Sequence, residues 1–105
     1  VEYRLAPHHA CPAAALDVID ALHWLHETAS VLGADASRLS VLGESAGGNL
    51  AAVAALHAAQ QQSRLPVRFA GVFYPMILND VATPSYSKLS NPRKAQPGLN
   101  KCTMR

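Results

Sequence analysis

The chain has 105 residues, half of them apolar, with a formal net charge of +2 and two cysteines. That length allows one modest domain and excludes a large multidomain enzyme. No stretch reaches the eighteen or so consecutive apolar residues of a membrane span, and Cys11 and Cys102 lie too far apart for a zinc ribbon or a disulfide framework, so they read as two unrelated thiols.

In chain order, Val1 to Leu5 (VEYRL) predicts the end of a strand, and a chain that opens on it reads as beginning inside a domain. The amino terminus lacks the basic, apolar and small-residue order of an export signal. The compartment is therefore unassigned, with the cytoplasm as the default expectation. Ala6 to Cys11 predicts a loop leading to Pro12, which suits a helix's first turn because its missing N–H has no partner to lose there. From Ala13 to Leu32 the residues Val18, Leu22, Leu25, Ala29 and Leu32 recur at steps of three and four, with Asp17, Asp20 and Glu27 on the other side. This spacing predicts an amphipathic helix ended by Gly33.

Arg38 to Leu42 (RLSVL) is an apolar run of strand length. Ala46 to about Gln62 is alanine-rich and predicts a helix whose small side chains let it lie close against a sheet. Val67 to Tyr74 (VRFAGVFY), bounded by Pro66 and Pro75, predicts a further strand. Strand, helix, strand, helix, strand is the order of an α/β domain with a parallel sheet flanked by helices.

Charge divides the chain unevenly. Up to Asp80 seven acids face four basic residues, whereas 81–105 carries five basic residues, three prolines and no acid. Such a segment buries too little to offset its ordering entropy, so residues 1–80 are expected to form a partial domain and 81–105 an irregular basic tail. The tail lacks the clustered charge and interleaved aromatics of a nucleic-acid surface.

The chemistry concentrates at Gly43-Glu44-Ser45-Ala46-Gly47, a GxSxG sequence between a predicted strand and a predicted helix. In that setting it predicts a nucleophile elbow: glycines at 43 and 47 are expected to remove side chains that would collide, and the serine is expected to be held strained with its hydroxyl in solvent. The helix start offers unbonded N–H groups and a positive dipole end, and the Ala46 amide is the expected oxyanion donor. The competing readings are a glycine-rich turn without chemistry and a phosphate-cradling loop. No Walker Gly-Lys-Ser/Thr is present, and GxGxxG does not match.

Three segments, YRLAPHHACPAA, LGADASRLSVLGESAGGNLAA and GVFYPMIL, together resemble the hormone-sensitive-lipase-like branch of the α/β-hydrolase fold, which includes bacterial esterases and arylacetamide deacetylases. That family has D-Y-R-L-A-P-E-H at a strand end, G-D-S-A-G-G-N at the elbow and Y-P after the following strand. The likeness covers about residues 1 to 80. Glu44 stands for the usual elbow aspartate, His8 for glutamate, and Ala10 and Cys11 for Pro-Phe. The resemblance implies a partial α/β-hydrolase fold, Ser45 as nucleophile, Ala46 as oxyanion donor, a small-molecule ester as substrate, and no cofactor or metal.

A hydrolase of this fold also needs an acid and then a histidine after the serine. Asp80 is the only later acid, and no histidine follows it. His57, twelve residues down the same helix, lies roughly 18 Å away at 1.5 Å per residue, too far to reach the serine. The family's His-Gly-Gly oxyanion segment would precede Val1. The chain is therefore expected to be a fragment of a serine carboxylic-ester hydrolase, inactive in isolation. A ligand-binding relative and a truncated product without function are the rival readings. His23 with His26, and His8 with His9, lack a full metal-ligand set, and Trp24 is expected to pack on its helix.

Overall fold

The computed structural model describes residues 1–60 and 64–77. Four elements follow in order: helix α1 (Ala13–Thr28), strand β1 (Leu39–Glu44), helix α2 (Ala46–Ala59) and strand β2 (Val67–Phe73). The two strands pair in parallel, Leu39 opposite Val67 and Glu44 opposite Phe73, with one irregularity between Leu39 and Ser40. Parallel strands joined through a helix confirm the α/β class.

Pleating puts alternate residues of β1 on opposite faces. Leu39 and Val41 are buried, while Ser40 and Leu42 are exposed. On the covered face the core consists of Leu22 from α1, Leu39 and Val41 from β1, Ala51 and Ala54 from α2, and Leu65. Alanine at 51 and 54 lets the α2 backbone approach the sheet, as the composition predicts. The opposite face exposes Leu42, Phe69 and Phe73.

Val1–Leu5 corrects the sequence expectation, because it is not a strand in the described structure. The polar groups of Arg4 go to a helix instead of a ladder. The Arg4 backbone N–H donates to Asp17 on α1 over 2.9 Å, and the Arg4 guanidinium grips the same carboxylate at 2.6 and 3.0 Å. The described sheet therefore has two strands rather than three.

The first helix also ends earlier than its periodicity suggests, with the regular turns stopping at Thr28. The Leu32 N–H is shared between the carbonyls of Thr28 and Ala29, a tightened last turn. Gly33 at φ 71° then closes it: the Ala34 N–H returns to the Ala29 carbonyl and the Gly33 N–H to that of Ser30, the bonding of a Schellman stop. The apolar spacing to Leu32 marks the packed face of these turns, not their hydrogen-bond register. Similarly α2 stops at Ala59, where Gln60 adopts an extended ψ of 137°.

In the connection from α1, Asp35 organises the entry to β1. Its carboxylate accepts from the Ser37 backbone and hydroxyl and from the Arg38 guanidinium. One further expectation is corrected: Trp24 is 57% exposed rather than packed. Cys102 lies outside the described residues. Asp80 and the 81–105 tail lie outside the described residues. No described helix is long and apolar enough to cross a membrane.

Candidate active site

The chain passes from β1 to α2 through a single residue, Ser45. A reversal that short forces the backbone into a sparsely populated region, and Ser45 has φ 52° and ψ −117°. For a residue with a side chain this costs on the order of 1–3 kcal/mol and persists only where neighbours hold it. The consequence for the hydroxyl is direct. Serine at a helix N-cap ordinarily accepts from an amide of the first turn, but here it makes no capping bond, and Ser45 is exposed.

Two glycines make the reversal sterically possible. A Cβ on Gly43 would lie 2.1 Å from the Gly47 carbonyl oxygen, and one on Gly48 would lie 2.9 Å from the Phe73 carbonyl oxygen. Gly47 departs from the sequence expectation, since a Cβ there would meet nothing within 4 Å. The crossing backbones meet at 43 and 48, one residue further along than the GxSxG spacing implies. Gly48 faces the sheet as the helix turns, whereas Gly47 faces open space.

The elbow is held from the β2 side. The Ser45 amide donates to the Phe73 carbonyl over 3.0 Å, and the Ser45 carbonyl accepts from the amides of Asn49 at 3.1 Å and Met76 at 3.4 Å. Side chains add two more bonds: the Tyr74 hydroxyl donates to Glu44 Oε2 at 2.5 Å, and Asn49 Nδ2 donates to the Met76 carbonyl at 2.7 Å. The bond to Glu44 pushes the Tyr74 phenol above its ordinary pKa, with burial adding to the shift. Tyr74 itself bends out of the strand at φ 33°.

Ala46 is the first residue of α2, so its amide has no intrahelical acceptor. With the amides of Gly47 and Gly48 it forms the positive end of the helix beside the serine. This arrangement suits negative charge developing on a carbonyl oxygen held against Ser45.

The histidines lie elsewhere. His57 packs edge-on against His23 of α1, ring centroids 6.1 Å apart, and the His26 Nδ1 lies 3.0 Å from the Ala36 carbonyl. Among the described residues no three His, Cys, Asp or Glu side chains gather as a metal site. An apolar groove of about 360 Å³ runs between α1, β1 and α2, lined by Val1, Tyr3, Leu22, Leu25, Leu42 and Leu50 among others, but Ser45 is not in its lining.

Sequence reasoning assigned no role to Gly48, Asn49, Tyr74 or Met76. The signal was present in the second glycine of Ala-Gly-Gly-Asn and in the Tyr-Pro after β2. Only the fold brings these two segments together.

Comparison with known proteins agrees with this geometry. Carboxylesterase NlhH of Mycobacterium tuberculosis is 43% identical over 84% of this chain, and ethyl acetate hydrolase of Pseudomonas putida is 41% identical over the same share. A solved structure of an arylesterase superposes with a TM-score of 0.74 at 34% identity, covering 84% of this chain. The chain spans 27% and 28% of the two relatives and 29% of the arylesterase chain. A family profile described as alpha/beta hydrolase fold matches residues 1–105. With a parallel sheet, a strained serine at the strand-to-helix reversal and relatives of this likeness, the chain belongs to the alpha/beta hydrolase fold family.

Proposed function

We propose that this chain is the nucleophile-elbow segment of a serine carboxylic-ester hydrolase. Ser45 is the nucleophile, the Ala46 amide is one oxyanion donor, and the substrate is a small-molecule ester. The observation that carries the reading is the φ of 52° at Ser45, which leaves its hydroxyl uncapped and exposed beside the first amides of α2. The relatives, a carboxylesterase and an ethyl acetate hydrolase, support the ester as substrate class.

In the reaction the Ser45 oxygen attacks the ester carbonyl while a histidine base takes its proton. The carbonyl oxygen gains negative charge toward the Ala46 amide, and the collapse of the tetrahedral intermediate expels the alcohol, which receives the proton from the histidine. Water then cleaves the acyl-enzyme by the same steps. His57 is not that base, since it lies twelve residues along α2 from Ser45, roughly 18 Å at 1.5 Å per residue. The chain spans 27% of the carboxylesterase relative, and the base and its orienting acid are assigned to the rest of the complete protein.

The test is hydrolysis of p-nitrophenyl acetate by the protein expressed from the complete reading frame. Ser45→Ala is expected to lower kcat by roughly 10³-fold or more, and a fluorophosphonate is expected to label Ser45. Retained turnover in Ser45→Ala, or labelling of another residue, would refute the assignment.

A further inference from the structure

We propose that Glu44 and Asn49 are positioning residues that lock Ser45 in its elbow conformation by stapling the Tyr74–Met76 segment across it. The proposal rests on Ser45 as nucleophile and adds a source for its geometry. Both backbone polar groups of Ser45 bond to the exit of β2: its amide to the Phe73 carbonyl, its carbonyl to the Met76 amide. Moving residues 73 to 76 therefore moves Ser45.

The staples grip the two ends of that segment. The register puts Glu44 opposite Phe73, so the next residue, Tyr74, reaches diagonally to the Glu44 carboxylate at 2.5 Å. At the other end the Asn49 amide, one turn into α2, holds the Met76 carbonyl at 2.7 Å. The two side chains thus come from the residue before Ser45 and from the residue whose amide closes its first helical turn. Neither is a core residue, and their partners lie 30 and 27 positions away in sequence. A positive φ at a residue with a side chain persists only when its surroundings over-determine it. Four bonds between elbow and segment supply that restraint.

The test uses the protein expressed from its complete reading frame, with Tyr74→Phe, Glu44→Leu, their double variant, Glu44→Gln and Asn49→Ala. Steady-state kinetics on p-nitrophenyl acetate are combined with amide hydrogen exchange. Tyr74→Phe, Glu44→Leu and Asn49→Ala are each expected to lower kcat about tenfold with KM within about twofold, because the serine is misplaced while the pocket is intact. The double variant is expected to be no worse than either single, since both remove one bond. Glu44→Gln keeps an acceptor oxygen and is expected to retain most of kcat. Exchange is expected to quicken at the Ser45 and Met76 amides and to stay unchanged at Ala51 and Ala54.

Unchanged kcat in the single variants, additive losses in the double, or exchange quickened equally throughout the core would each overturn the positioning role. Turnover that survives Ser45→Ala would instead sink the nucleophile assignment, and the exchange at Ser45 and Met76 would then decide the staple by itself.

Discussion

The amide of Ser45 donates to the carbonyl of Phe73 over 3.0 Å, so the elbow is anchored on the neighbouring strand as well as on its own helix. The close approach that this bond needs places Gly48 against the Phe73 carbonyl and Gly43 against Gly47.

The three elbow glycines are therefore expected to respond differently to alanine. Gly43→Ala puts a methyl 2.1 Å from a backbone oxygen, which no side-chain adjustment relieves. It is expected to cost about 3 kcal/mol or more. Gly48→Ala is expected to cost roughly 1–3 kcal/mol. Gly47→Ala meets open space inside a helix and is expected to be neutral or stabilising by up to about 1 kcal/mol, since alanine is the better helix former. Urea denaturation of the three variants checks the order.

Ser45→Gly separates strain from chemistry. Glycine carries no Cβ penalty at φ 52°, so the variant is expected to gain up to about 1 kcal/mol of stability over Ser45→Ala while both lose acylation. A thermal melt of the pair against wild type reads the difference. Equal stabilities would mean that the elbow stores no backbone strain.

The 105 residues by themselves are expected to hydrolyse p-nitrophenyl acetate no faster than their Ser45→Ala variant. The only histidine after Ser45 is His57, and its ring packs on His23. A burst or a turnover that disappears with Ser45 would show that another group serves as base.

Acid stability provides a test of the amino-terminal docking. The Arg4 guanidinium beside Asp17 holds that carboxyl at about 2, and the Ser37 hydroxyl and amide, with Arg38, hold Asp35 at about 2. Both lie below the ordinary 3.8, so the stability they contribute is present above pH 3.8 and is lost as pH falls through about 2. Solvent screens both pairs and keeps the effect small. Asp17→Asn is expected to lower Tm at pH 6 and to leave it unchanged near pH 1.5; a loss that persists at the acid end would point to packing instead of charge.

Much of this molecule was legible in its residue order. Apolar periodicity located the first helix, alanine-rich composition the second, and short apolar or β-branched runs the strands expected at 38–42 and 67–74 and found at 39–44 and 67–73, because these are local properties of the chain. GxSxG between a strand and a helix located Ser45, since a reversal that tight tolerates few residue types. Other features depended on partners distant in sequence. Val1–Leu5 has strand composition, but a strand exists only with a neighbour to complete its ladder, and Arg4 bonds to Asp17 instead. That Gly48 rather than Gly47 meets the sheet depends on how α2 turns over β2. Composition and short-range spacing thus determined the elements and the candidate serine, while the tertiary structure alone decided which glycines touch and what holds Ser45: the approach of Gly48 to Phe73 and the Glu44–Tyr74 and Asn49–Met76 bonds join residues about 25 to 30 positions apart.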